Sequence, residues 1–253
     1  MQYLPWVAVA LVVALTALYL LNRFVWFYRD PVRTPEASGR VIISPADGQI
    51  VYIKRFEDGA VASEKLGRRI ELTEIAELEQ TKGRSGWIVG IYMSPFDVHF
   101  NYAPVAGRVT AQRYRKADAN LPMVDLSEYI RIAFLRRPFD NFAAAFHLEN
   151  ERNTVLIEPL PSPLGADSAT PAAGVGTMQG PPQPDIAVVE IADKFVNKID
   201  ILAREGDELN VGDKLGFIKR GSQVDVIVFS DDVEWTAEFG QQVYGGRTVL
   251  GRY

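Results

Sequence analysis

The chain has 253 residues, 47% hydrophobic and 23% charged, with a formal net charge of −5. That balance suits a globular body with one large or two small cores, and it lacks the clustered basic surface that nucleic acid requires. The absence of cysteine excludes disulfides, thiolate nucleophiles and cysteine-rich zinc sites, and only His99 and His147 can supply an imidazole.

The first element is apolar from Tyr3 to Leu21, interrupted only by Pro5 and Thr16. As a helix this run spans about 28 Å, close to the ~30 Å hydrocarbon core of a bilayer. Aromatic residues and arginines follow it in Asn22–Arg29, as at a membrane–water interface. No Lys or Arg precedes the run, whereas Arg23, Arg29 and Arg33 follow it. This predicts a cell-membrane protein, single-pass or peripheral, with its body in the cytoplasm. A cleaved signal peptide would want a basic start, a shorter apolar stretch and a small-residue cleavage site. A core helix would show a polar face, and this run has none.

The body begins after a polar linker at Arg33-Thr34-Pro35. Val41–Ile43 reads as a strand, Ser44-Pro45-Ala46-Asp47-Gly48 as a turn, and Gln49–Lys54 as the next strand. Residues 55–86 are charged, with Glu71–Gln80 either a short helix or a solvated excursion. Trp87–Met93 and Val105–Arg115 read as strands, Asn141–Asn150 is ambiguous, and Thr154–Glu158 is strand again. Leu160–Pro184 is rich in Pro, Gly, Ala and Ser and predicts a long loop. Ile186–Ile191, Lys198–Ala203 and the alternating Val224, Val226, Val228 complete the strands. The expected fold is mainly β, a β-rich α+β body of barrel or sandwich type, preceded by one transmembrane helix. Glu205–Gly216 has the rhythm of a lipoyl-like barrel, which raises a carrier module as a rival, but no lysine is convincingly displayed at a hairpin tip.

Four short segments carry chemical potential. Ser44–Gly48 holds Asp47; Phe96–Gly107 holds Asp97 and His99 in alternation, a spacing that on a strand puts the carboxylate on the same face as the imidazole to orient it; Glu149–Asn153 holds Arg152 and Asn153, candidate contacts for a phosphate; Leu215–Val226 holds Gly221-Ser222. Each alone reads as an ordinary turn or polar surface. In this order, with Phe27-Tyr28-Arg29-Asp30-Pro31 after the anchor, they resemble phosphatidylserine decarboxylase in its shorter bacterial and archaeal class. The spacer from Pro159 to Pro184 is longer than that class usually has.

The resemblance implies a proenzyme that cuts itself between Gly221 and Ser222. The Ser222 hydroxyl would attack the Gly221 carbonyl to form an ester, elimination across Ser222 would release the upstream chain, and hydrolysis of the resulting dehydroalanine would leave a covalent pyruvoyl group at the new N-terminus. That group would form a Schiff base with the substrate amine and act as an electron sink as carbon dioxide leaves, converting phosphatidylserine to phosphatidylethanolamine. Ser222, His99 and Asp47 are then the catalytic residues, and no metal is called for. The longer class has a second histidine where this chain has Tyr102, so His99 is expected to serve both self-cleavage and decarboxylation. The domains implied are an anchor at 1–33 and a decarboxylase at 34–253, the chain being cut into 1–221 and 222–253. The partners implied are the membrane, its serine phospholipid and the two cleaved chains of the protein itself, with a homodimer left open. Archaetidylserine, another amine-bearing carboxylate or a non-catalytic tethered barrel are the alternatives.

Overall fold

The computed structural model describes residues 3–36, 39–63, 67–160, 183–194, 198–219 and 221–253. The expected Pro/Gly/Ala loop therefore falls largely outside the described residues. Helix α1 (Leu4–Phe24) has no buried residue, and Pro5 occupies its first turn, where the missing N–H costs nothing. A 3₁₀ turn, Trp26–Tyr28, follows and buries Phe27 in the body.

The strands in chain order are β1 (Val41–Ile43), β2 (Gly48–Phe56), β3 (Ala60–Ser63), β4 (Arg68–Glu71), β5 (Gly86–Met93), β6 (Phe100–Tyr102), β7 (Gly107–Arg115) and β8 (Arg152–Pro159). They continue with β9 (Ile186–Ala192), β10 (Ile199–Ile201), β11 (Glu208–Leu209), β12 (Lys214–Ile218), β13 (Ser222–Val228), β14 (Glu234–Trp235), β15 (Gln242–Val243) and β16 (Val249–Arg252). Three short helices, α2 (Leu72–Ala76), α3 (Leu126–Ala133) and α4 (Phe146–Glu149), interrupt them. The mainly β expectation holds. The charged stretch after β2 resolves into the β3–β4 hairpin and α2, and Asn141–Asn150 contains α4.

One curled antiparallel sheet, ordered β11-β7-β8-β9-β13-β5-β2-β15, organises the body. Two three-stranded sheets, β10-β12-β6 and β1-β16-β14, accompany it. The period-two pattern sorts the large sheet into two interiors. Val224, Val226 and Val228 pack with Met93, Ile91, Val188 and the small sheets' Leu215, Ile218 and Leu250. Ile227 packs on the other side with Tyr52, Ile88 and Val189, beneath Ile75 of α2, Ile132 of α3 and Phe146 of α4. A strand covered on both faces buries its polar alternates too, so Gln223 and Asp225 are fully enclosed.

Strand β13 lies between β9 and β5, in register along all seven residues on each side. Further along, β15 pairs with β2 and β16 with β1. A break before Ser222 would leave residues 222–253 woven into the rest by these ladders and by buried Val224, Val226, Ile227 and Leu250. Burial of each such side chain is worth roughly 1.5–3 kcal/mol.

Candidate active site

Gly221 enters β13 with φ +47, a left-handed conformation that suits glycine. A Cβ there would fall 2.7 Å from the Asp193 Oδ2. The Gly221 carbonyl accepts a hydrogen bond from the Asp193 backbone N–H at 3.1 Å. A donor already aimed at this oxygen can stabilise the negative charge that would develop if the carbonyl were attacked.

Ser222 is fully buried, and its Oγ donates to the Met93 sulfur at 3.1 Å. The Asn101 amide of β6 points at the same sulfur, at 3.7 Å. Ser222 therefore sits in a slot between the large sheet and β6, with no acid or imidazole bonded to its hydroxyl among the described residues. A pyruvoyl carbonyl at this position would fit the slot, since it occupies no more room than the serine side chain.

His99 immediately precedes β6. Its carbonyl accepts from the Ile218 N–H at 3.1 Å, which ties it to the chain just upstream of the Gly221-Ser222 bond. Nδ1 lies 3.0 Å from the Asp97 backbone carbonyl. A carbonyl only accepts, so Nδ1 carries the proton and Nε2 presents its lone pair. Nε2 is buried with no hydrogen-bond partner among the described residues. Phe27, just beyond the end of α1, covers the ring at a centroid distance of 4.1 Å. Burial pushes the imidazole down to about 3, against the Asp97 carbonyl, which raises it, so the ring is neutral in ordinary buffers.

The expected orienting carboxylate is corrected: Asp97 works through its main chain. Its carboxylate turns away to accept from the Ser94 N–H and Oγ, at 2.8 and 2.7 Å, and from Gln242.

Asp47 does not touch His99 either. Its carboxylate pairs with Arg33 at 2.8 Å and accepts from the Gly245 N–H at 2.8 Å and, more weakly, from the Val98 N–H at 3.4 Å. It thereby joins the linker after α1, the residue before His99, and the C-terminal segment. Burial raises its pKa, and the Arg33 charge opposes that.

Arg152 and Asn153 do not reach a phosphate site. The Arg152 guanidinium is buried and donates to the carbonyls of His147, Asn150, Glu74 and Ile75. It fastens α4 and α2 to the sheet. The Asn153 amide donates to Glu190 at 2.7 Å and accepts from Gln112. Both side chains are committed inside the fold, and the phosphate role is withdrawn.

His147 belongs to the opposite interior. Its Nε2 lies 2.8 Å from the Gln223 amide and 3.0 Å from the Tyr52 hydroxyl, which donates to Asp225 at 2.6 Å. Gln223 and Asp225 alternate with Ser222 along β13, so the sheet separates His147 from Ser222.

Glu190 was missed from the sequence. It is fully buried opposite Val224 on β9, and therefore on the Ser222 face of the sheet. A Cβ at Gly216 would fall 2.2 Å from its Oε1, so the glycine makes room for the acid. Burial raises its pKa to about 7, while the Asn153 hydrogen bond pulls the other way. Such an acid keeps its proton in the folded chain at pH values where the unfolded chain, near 4.3, has released it. Its contribution to stability therefore falls as pH rises from about 4.3 to about 7, by roughly 4 kcal/mol for a shift of this size. Glu190→Gln keeps the shape and the acceptor for Asn153. On an uncleaved Ser222→Ala background in detergent, the variant is expected to gain stability relative to its parent between pH 5 and pH 8. Urea midpoints at the two pH values check this, and an unchanged difference would show that Glu190 is ionised in the fold.

A groove of about 630 Å³ runs between the last turns of α1 and the body. Leu15, Leu18 and Arg23 line it on one side, and Tyr92, Phe96, Leu126, Lys194 and Gly221 on the other. It thus joins the flank of α1 to the glycine of the Gly221-Ser222 bond.

The family model for phosphatidylserine decarboxylase matches residues 20–251. The chain belongs to the phosphatidylserine decarboxylase family. It is 30% identical over 237 residues to a provisionally named archaetidylserine decarboxylase proenzyme of Methanocaldococcus jannaschii, covering 94% of this chain and 93% of that one. It is 28% identical over 228 residues to a phosphatidylserine decarboxylase proenzyme of Magnetococcus marinus, covering 90% and 77%. A third, from Saccharopolyspora erythraea, is 29% identical over 225 residues, covering 89% and 71%. Members of this family are proenzymes that generate a pyruvoyl group, and the chain is accordingly a phospholipid decarboxylase of that type.

Proposed function

We propose that the protein decarboxylates phosphatidylserine at the membrane, after cutting itself between Gly221 and Ser222 into chains 1–221 and 222–253. The observation that carries the reading is the groove from α1 to Gly221. A two-chain lipid leaves its acyl tails among Leu15, Leu18 and the neighbouring lipid while its head group reaches the Ser222 slot. Arg23 and Lys194 line that groove and supply cations for the lipid phosphate. The anchor, 1–33, keeps the 34–253 body at its substrate, with the body on the cytoplasmic side.

In self-cleavage the Ser222 Oγ attacks the Gly221 carbonyl carbon, the Gly221–Ser222 amide bond gives way to an ester, and the amide nitrogen takes up a proton; loss of the Ser222 Cα proton then breaks the Cβ–Oγ bond and frees chain 1–221 as a carboxylate, and water replaces the nitrogen of residue 222, which leaves as ammonia. His99 Nε2 accepts the hydroxyl proton, and the Asp193 N–H holds the oxygen that becomes negative. Asp47 is a positioning residue: it fixes Val98 beside His99 and clamps both to Gly245 of the C-terminal segment. When formed at residue 222, the pyruvoyl group supplies a carbonyl electron sink for loss of carbon dioxide. His99 Nε2 takes up a proton released by the substrate's ammonium group and passes it to the substrate carbon after carbon dioxide leaves, and the apolar wall of Phe27 and Met93 excludes water.

A second reading, ether-linked archaetidylserine as substrate, is favoured by the 30% relative. The test is carbon dioxide release from vesicles containing either lipid. Turnover of phosphatidylserine supports the first reading, and turnover of the ether lipid alone the second. Release from free serine and from neither lipid would overturn both.

A further inference from the structure

Helix α3 carries an apolar stripe that its own fold leaves uncovered. Leu126, Ile130 and Phe134 recur every fourth residue and so stand one above another on one face. They are 75%, 44% and 60% exposed, and Leu135 beside them is 58% exposed. The other face holds Ile132 in the core. The helix is firmly begun: the Asp125 side chain accepts from the Glu128 N–H at 2.8 Å, and Glu128 returns a bond to the Asp125 N–H at 2.9 Å. Phe96 extends the stripe, its ring edge-on to Phe134 at 5.7 Å.

Position says what covers this face. Leu126 walls the same groove as Leu15, Leu18 and Arg23 of α1. Leu15 lies nine residues before the end of α1 at Phe24, about 13 Å along the helix axis. If α1 spans a bilayer, a wall that reaches Leu15 runs from the head groups through most of one leaflet's ~15 Å of hydrocarbon. Arg131, Arg136 and Arg137 are exposed around the stripe, while the helix's acids, Asp125 and Glu128, are tied into the cap. An apolar stripe bordered by arginines suits an anionic lipid surface.

We infer that α3, with Phe96, is a second membrane contact, seated in the same leaflet that α1 enters. It rests on the reading of α1 as a membrane span. The contact holds the groove mouth flush with the lipid, so that a serine head group meets Gly221 without leaving the bilayer.

The cysteine-free chain allows a direct test. Single cysteines at Leu11, Ile130, Phe134 and Glu205 are labelled with an environment-sensitive fluorophore in the full-length protein. The protein is then reconstituted in vesicles of phosphatidylcholine and phosphatidylglycerol, with nitroxide-labelled lipid as quencher. Quenching at 11, 130 and 134 but not at 205 is the expected result. Quenching at 11 alone overturns the α3 contact and leaves the anchor standing. Absence of quenching at 11 overturns the anchor reading and the contact with it. A probe at 130 that is shielded from water yet unquenched by lipid overturns the proposal in favour of a second copy of the chain. Ile130→Asp is further expected to slow turnover of vesicle-embedded substrate about tenfold, with self-cleavage and turnover of a dispersed short-chain lipid unchanged. Equal slowing on both substrates would overturn the contact.

Discussion

Ser222→Ala is expected to leave a single chain of 28.2 kDa with no decarboxylase activity. The bond to be broken has its carbonyl held by the Asp193 N–H and its following hydroxyl buried against Met93. Removing the hydroxyl removes the nucleophile, and with it the source of the pyruvoyl group. The fold should survive, because the side-chain hydrogen bond that Ser222 makes among the described residues is a weak one to sulfur, worth about 1 kcal/mol or less. Denaturing gel electrophoresis and carbon dioxide release read both effects. A variant that still yields two chains would place the cleavage elsewhere.

The second large effect concerns the two histidines. His99→Ala is expected to slow both self-cleavage and decarboxylation by roughly 10²–10⁴, the usual worth of a general acid–base group. His147→Gln, which keeps a hydrogen-bonding side chain, is expected to cleave at the wild-type rate. The reason is the alternation along β13: His147 meets Gln223 and its partners Tyr52 and Asp225 on one face, and Ser222 points to the other. Time courses of cleavage of freshly synthesised chain distinguish the two. Loss of cleavage in a folded His147→Gln protein would remove His99 as the base. Tyr102, which stands where the longer class has its second histidine, packs its ring over Gly245 and Gly246.

Much of this was legible in the sequence, and the failures have physical causes. The strands around Val89, Val188 and Val226 announced themselves through apolar runs and period two, because each is buried in a continuous sheet. The Gly221-Ser222 step was legible only from its company, since the left-handed Gly221 and the bond from Asp193 are tertiary facts. Arg152 looked like a phosphate ligand because sequence shows a charge and not the four carbonyls that enclose it. Glu190 looked like the polar member of a strand, and its burial depends on Gly216 arriving from a distant strand. The Asp97–His99 alternation suggested a carboxylate–imidazole pair, whereas the segment lies outside regular strand and the main-chain carbonyl does the orienting. Helix α3 did carry a signal in its Asp125–Glu128 capping box, but its exposed apolar stripe runs opposite to the usual inside-out rule. Phe27 belonged to a motif already noted after the anchor, yet its part as the cover of His99 emerges only when α1 is set against the body.

The central claim is that this polypeptide makes its own reactive group from Ser222. Intact-mass spectrometry of the purified wild-type protein tests it most directly. The account predicts two chains, residues 1–221 and residues 222–253, with the smaller bearing a pyruvoyl group in place of an N-terminal serine. A single chain of 28.2 kDa in catalytically active protein, or a smaller chain that begins with free serine, would contradict it.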